Sequence, residues 1–208
     1  MVIGLVLLVA GISLKSMDSI RLPEPIEHRF FLEDALKKRR SLREYSGKEV
    51  SIQELSNLLY AAQGITDTVN NFRASPSAGA LYPLTIYILW NDALWRYEPE
   101  THTIYKIRND RKLKKELYMA CLLQEWVLNA PVVFVFAADY QKTAVKYGKR
   151  AWRYIYMEVG HACQNLLLEA VALGMGGVPV GAFEDHRVKG ILDIKEEPVY
   201  IVPAGYKP

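Results

Sequence analysis

Apolar residues from Trp152 to Leu173 fall at 152, 155, 156, 159, 162, 163, 166, 167, 170 and 173. That three–four spacing predicts a long helix with one broad buried stripe, closed by Gly174 as a C-terminal cap. Gly160 and Ala162 leave room for a second helix to approach, so this is a core helix and a candidate subunit contact. Phe31 to Arg40 carries a shorter stripe at 31, 32, 35 and 36 that runs into cations. Ser51-Ile52-Gln53-Glu54 is a capping box, and the helix it opens buries Ile52, Leu55, Leu58, Leu59 and Ala62 before stopping at Gly64.

Strand patterns fill the middle of the chain. Leu84–Trp90 is rich in aromatic and β-branched residues. Residues 94–98 and 103–107 flank Pro99 as a hairpin at a solvent-exposed edge. Asp110 is placed to cap a basic helix reaching Asn129. Pro131–Ala138 is a continuous apolar run, which fits a central strand buried on both faces. A short strand over 176–182, a surface helix over 184–192 and a strand over 199–204 complete the pattern, and Lys146–Arg150 reads as the start of a surface helix. Helices and strands alternate without a βαβ rhythm, which favours an α+β layer fold over a doubly wound one.

Val2–Leu14 is uncharged and almost wholly apolar. It is shorter than the roughly 20 residues that span a bilayer, and no Lys or Arg precedes it. Three readings stay open: a signal or weak anchor, a start site that is really Met17, or an element of the fold. Leu22-Pro23-Glu24-Pro25 reads as an extended linker. Residues 1–25 are therefore set apart from a domain over 26–208, and the protein is cytoplasmic, or tethered or exported through its N-terminus, with membrane contact through residues 1–14 an open question.

Composition narrows the chemistry. Half of the 208 residues are apolar and the net charge is +3, which gives no footprint for nucleic acid. Cys121 and Cys163 sit in apolar helical patterns and read as buried thiols. His28, His102, His161 and His186 lack metal-ligand spacing, so no metal site is expected. No glycine-rich phosphate loop is present, so a phosphate-bearing ligand would have to use side-chain cations. Lys37-Lys38-Arg39-Arg40-Ser41-Leu42-Arg43 offers guanidinium forks and a hydroxyl. It reads equally as a basic helix end that offsets the helix dipole. Residues 39 and 43 share a face only if the helix runs on; if it ends by 40, Arg43 points elsewhere.

Four motifs in order change that balance: Arg39-Arg40-Ser41-Leu42-Arg43, Ser75-Pro76-Ser77-Ala78-Gly79-Ala80-Leu81-Tyr82-Pro83, Glu158-Val159-Gly160-His161-Ala162-Cys163-Gln164-Asn165 and Val180-Gly181-Ala182-Phe183. Together they resemble the nitroreductase-like flavoproteins, and within them the azoline dehydrogenases of thiazole and oxazole formation, over about 26–206. The resemblance implies a central mixed sheet flanked by helices and a homodimer built around the long helix, with FMN at the interface. Arg39, Arg40, Ser41 and Arg43 would hold its phosphate, ribityl chain and O2/N1 edge. Pro76, Ser77 and Ala78 of the partner subunit would line the ring, and Val180, Gly181 and Ala182 would approach N5. Of the basic residues that members add to the phosphate site after the last strand, Lys207 alone stands in a matching place.

Ala80 and Tyr82 depart from the simple nitroreductase pattern and agree with the azoline branch. Lys146 and Tyr147 match a pair that assists proton removal there; a lysine in that role calls for burial. The implied activity is hydride transfer at flavin N5. Its substrate is a small molecule or a peptide heterocycle, or else NAD(P)H drives reduction of nitro compounds or quinones. A non-catalytic, membrane-tethered flavin-binding module is the alternative from another class.

Overall fold

The computed structural model describes residues 18–27 and 29–208. The apolar N-terminal run, Met17 and His28 lie outside them. In chain order the elements are β1 (Ser19–Arg21), α1 (Leu32–Lys38), α2 (Ile52–Gln63), β2 (Ile65–Asp67), β3 (Phe72–Arg73), β4 (Leu84–Trp90), β5 (Ala93–Glu98) and β6 (Thr103–Asn109). They continue with α3 (Leu113–Ala120), α4 (Glu125–Asn129), β7 (Val132–Ala138), α5 (Tyr140–Tyr147), α6 (Ala151–Ala172), β8 (Met175–Gly177), α7 (Asp185–Leu192) and β9 (Glu197–Tyr206).

The apolar run at 132–138 takes the position its composition demands. β7 is buried along its whole length and lies between β4 and β9 in a seven-stranded sheet ordered β1-β6-β5-β4-β7-β9-β8. The alternation of strand side chains divides the core in two. Val132, Phe134 and Phe136 point to the face covered by α2 and α6. Val133, Val135 and Ala137 point to the face covered by α3, α4 and α7. All strand-to-strand pairings in this sheet are antiparallel; the mix of directions comes from a single parallel bridge, Ser41 to Gly177, at its edge.

Several local expectations meet the structure directly. Ser51 caps α2 with the reciprocal Glu54 contact, and Leu55, Leu58, Leu59 and Ala62 are buried. The helix expected over 152–173 is α6, and the strand expected over 84–90 is β4. Both cysteines are buried.

Others differ, each for a packing reason. The hairpin of β5 and β6 is interior: Trp95, Tyr97 and Ile104 are buried, and β1 covers its outer side. The sheet therefore already includes residues ahead of the proline linker. That linker is extended but packed, with Leu22 buried and the Pro23 carbonyl accepting from Ser56 Oγ. The basic helix expected over 110–129 breaks at Cys121–Gln124, where Leu122 and Leu123 take positive φ. Leu117, Ala120, Cys121 and Val127 all enter one core cluster; an unbroken helix would set Val127 about 120° around the axis from Cys121. Asp110 accepts from the Lys112 amide, but Lys112 itself stands at the helix start. Lys146 closes a helix instead of opening one: α5 begins at Tyr140, capped by Asp139, and buries only Thr143.

Phe134, fully buried in the middle of β7, is expected to cost about 3–5 kcal/mol on replacement by alanine. A urea unfolding midpoint unchanged in Phe134→Ala would contradict the central position of β7.

Candidate functional site

The basic segment is shaped by where α1 stops. The helix ends at Lys38 with Arg39 as its C-cap, so the chain beyond runs extended and residues 39 and 43 do not share a helical face. Arg40 turns back and donates to the carbonyls of Lys37 (3.1 Å) and Arg39 (2.7 Å), the favourable place for a cation at a helix C-terminus. Ser41 then forms the parallel bridge to Gly177, and the Leu42 amide donates to the Gly177 carbonyl at 3.1 Å. A Cβ at Gly176 would lie 3.1 Å from Leu42 Cβ, so a glycine there is what lets the segment dock. Tyr45 Oη reaches the carbonyls of Leu42 (3.0 Å) and Pro203 (3.1 Å), tying the segment to β9. Burial raises its pKa far above the ordinary tyrosine range, so the hydroxyl stays a donor.

This docking sets the basic segment on the strand that leads into Val180–Gly181–Ala182. Val180 is fixed to Ile201 by two backbone hydrogen bonds, of 2.7 and 3.1 Å, and Gln124 Nε2 holds the Ala182 carbonyl at 2.8 Å. Gly181 is exposed and borders a cavity of about 920 Å³. Trp152 and Tyr156 form an aromatic wall of that cavity, with ring centroids 5.5 Å apart and planes 20° from parallel. Arg39 follows α1, which packs on α6; its charge pulls down the Cys163 thiol, which burial pushes up to about 12. Arg43 goes the other way. Its guanidinium is 5.3 Å from the Trp126 ring, and it borders a second cavity, of about 740 Å³, with Tyr45 and Pro208. Lys207 is exposed where β9 ends.

Pro76, Ser77, Ala78, Lys146 and Tyr147 form a second block. A Cβ at Gly79 would lie 2.8 Å from Lys146 Nζ and 3.0 Å from Tyr147 Oη, so both side chains end over the Ser75–Ala80 loop. Gly79 has φ 64°, a second reason for glycine there. Lys146 is exposed, not buried, with its ammonium 5.6 Å from the Tyr147 ring centroid. Tyr147 packs against Tyr154 of α6, with ring centroids 4.4 Å apart.

The two blocks meet α6 at different places. Ser77 Oγ donates to Glu158 at 2.5 Å, whereas Arg39 acts at Cys163. Five residues of helix separate these positions by about 140° around the axis, so they lie toward opposite sides of the buried stripe. The exposed face beyond them carries Met157, Gly160 and His161. One protomer thus sets Ser41 on Gly177, three residues ahead of the 180–182 loop, and Lys146 and Tyr147 over Gly79, next to Pro76–Ala78. Glu158 itself carried no assigned role in the sequence. The signal was available: a carboxylate at 158 shares the core side of the helix with Ile155 and Ala162. No group of three or more His, Cys, Asp or Glu that could hold a metal ion occurs among the described residues.

Residues 36–206 match the family model described as the nitroreductase family. A Methanocaldococcus jannaschii protein named "Putative nitroreductase MJ1384" is 43% identical over 196 residues, which is 91% of this chain and 98% of that protein. "FMN reductase [NAD(P)H]" of Bacillus subtilis is 21% identical over 178 residues, 79% of this chain and 59% of that protein. Among solved structures, a nitroreductase-named protein from Ralstonia eutropha superposes with a TM-score of 0.82 at 23% identity, covering 91% of this chain and 90% of its own.

Tyr45→Phe removes the one hydroxyl that ties the docked basic segment to β9. It is expected to lower stability by about 1 kcal/mol, read from urea unfolding; an unchanged midpoint would mean the segment is held by its backbone bonds alone.

Proposed function

We propose that this chain, which belongs to the nitroreductase family, is an FMN-dependent oxidoreductase that works as a homodimer. The observation that carries this reading is the docking of Ser41 and Leu42 on Gly177. It sets a cation-rich segment on the same strand edge as an exposed glycine loop beside a large cavity.

The residues fit such a group. Arg39 and Ser41 supply a guanidinium fork and a hydroxyl suited to phosphate, with Lys207 as a further cation at the end of β9. The stacked pair Trp152 and Tyr156 offers a flat apolar wall to a planar ring. When bound, FMN supplies hydride transfer at N5. Arg43, turned to Trp126 and the second cavity, is not placed to reach a ring held against Trp152 and Tyr156, so the charge at the phosphate end falls to Arg39. Val180, Gly181 and Ala182 would hold the N5 edge through backbone contacts that add no charge. Arg40, already engaged with the end of α1, would contribute through its backbone and not its guanidinium.

The separation of the two blocks supports a homodimer. Pro76, Ser77 and Ala78 lie across α6 from Arg39, so a second copy seated on the exposed face of α6 would supply the other wall. Exposed Tyr156 and Met157, 58% and 52% accessible, suit such a contact.

Two chemistries share this site, each with its own support. The relative named FMN reductase [NAD(P)H] favours electron delivery from a nicotinamide to a nitro compound or quinone. The convergence of Lys146 and Tyr147 on Gly79 favours dehydrogenation of an azoline-type heterocycle, with that pair taking the proton. The first needs only a reductant; the second needs Lys146 shielded from water by the partner subunit.

Purified protein is expected to carry a flavin absorption spectrum. Arg39→Ala should weaken FMN retention roughly 10- to 100-fold, the scale of a lost charge-assisted hydrogen bond, while Lys37→Ala leaves it unchanged. A colourless protein that takes up no added FMN would sink the reading. Stopped-flow mixing with NADH or NADPH separates the chemistries: flavin bleaching supports the reductase, and a flavin that stays oxidised while Lys146→Ala abolishes heterocycle oxidation supports the dehydrogenase.

A further inference from the structure

The Ser75–Tyr82 loop is held in a shape it would not adopt by itself. Gly79, Ala80 and Tyr82 all have positive φ, of 64°, 53° and 45°, and two of the three carry a Cβ that disfavours it. Helix α6 clamps the loop from one side. Asn165 Nδ2 donates to the Ala74 carbonyl (3.3 Å) and to Ser75 Oγ (3.1 Å), and Ser75 Oγ donates to the Ala62 carbonyl (2.8 Å). One heptad earlier on the same side of the helix, Glu158 accepts from Ser77 Oγ at 2.5 Å. Ser77 Oγ in turn accepts from the Tyr82 amide at 2.9 Å, closing the loop over its strained residues.

Glu158 is an expensive way to make that bond. It is 2% exposed, and its second oxygen, Oε1, is buried outside hydrogen-bond geometry, met by the Gln63 amide, whose Nε2 is likewise left without a formed bond. A carboxyl group that only filled core space would be replaced by an apolar side chain at no loss. We infer that Glu158 is a positioning residue, whose buried acceptor fixes Ser77, and through it the Pro76–Ala78 loop, in the form that faces the cofactor of the partner subunit. This rests on the flavin reading above.

The site is also sensitive to protons. Burial pushes the Glu158 carboxyl up to about 7, against Ser77, Arg73 and the Gln63 amide, which pull it down. Arg73 of β3 is the charged group that faces it, and Arg73 is itself paired to Glu100 at 2.8 Å and bonded to Gln63 Oε1 at 3.1 Å; Gln63 of α2 and Ser77 of the loop carry no charge. The native value lies above the ordinary glutamate value of 4.5. The stability this group contributes is therefore fully present below that ordinary value and is lost as pH rises through the native one.

The test compares Glu158→Gln, Glu158→Met, Ser77→Ala and the Glu158→Met/Ser77→Ala double variant, all as full-length protein loaded with FMN. The methionine fills the site without an acceptor and is expected to melt no lower than wild type at pH 8, yet to release FMN at least tenfold faster. The glutamine keeps an acceptor and should restore retention. Its melting temperature should also lose the fall that wild type shows between about pH 4.5 and 7. Ser77→Ala should match the methionine variant, and the double variant should be no worse than either single one. Wild-type protein that takes up no FMN overturns the flavin reading and this inference with it. Wild-type protein that binds FMN, with Glu158→Met holding it as long or the two single effects adding in full, overturns this inference alone.

Discussion

Helix α6 must bury one broad stripe of small and apolar side chains, and the rest of the molecule is arranged around that requirement. The stripe packs on α2 and on the Phe134 and Phe136 face of β7. Its two borders then become attachment points. Cys163, toward one side, feels the Arg39 charge, and Glu158, at the other, holds Ser77. The remaining arc, with Met157, Gly160 and His161, faces outward. A helix that packs its neighbours this closely has little freedom to rotate, so the angle between the two attachment points is as fixed as the core.

The basic segment shows the same economy at smaller scale. Five neighbouring cations repel one another, yet they find four different outlets. Lys37 and Lys38 lie in the last turn of α1, where the dipole favours them. Arg40 folds back on the helix end, Arg39 faces α6 and Arg43 stacks on Trp126. The docking of Leu42 against Gly176, and the Tyr45 hydroxyl beyond it, make the distribution possible. What reads in sequence as one charge cluster is in space a fan of separately directed groups.

Much of the fold was legible because periodicity and burial coincide: α2, α6, β4 and β7 each declare their buried face. Features set by tertiary packing were not. The break at Leu122 and Leu123 involves no glycine or proline; it follows from the need to bring Cys121 and Val127 into one cluster. β1 was hidden because three residues of strand beside a proline pair give no periodic signal. The candidate site was legible as an ordered set of motifs that resemble a family, but not in its grouping. Nothing in the spacing tells that Lys146 and Tyr147 end on Gly79, that Arg40 turns away, or that a carboxylate within the core stripe clasps the Ser77 loop.

The central claim is that two blocks separated by α6 in one protomer complete one site only across a dimer. Co-expression of two differently tagged variants, Arg39→Ala and Ser77→Ala, followed by double-tag purification and flavin quantitation, tests it most directly. Each variant alone should retain little FMN. A mixed dimer carries both lesions in one site and none in the other, so one of its two sites should hold FMN as wild type does. Mixed dimers as poor in flavin as either parent would place both blocks of each site in the same protomer and contradict the account.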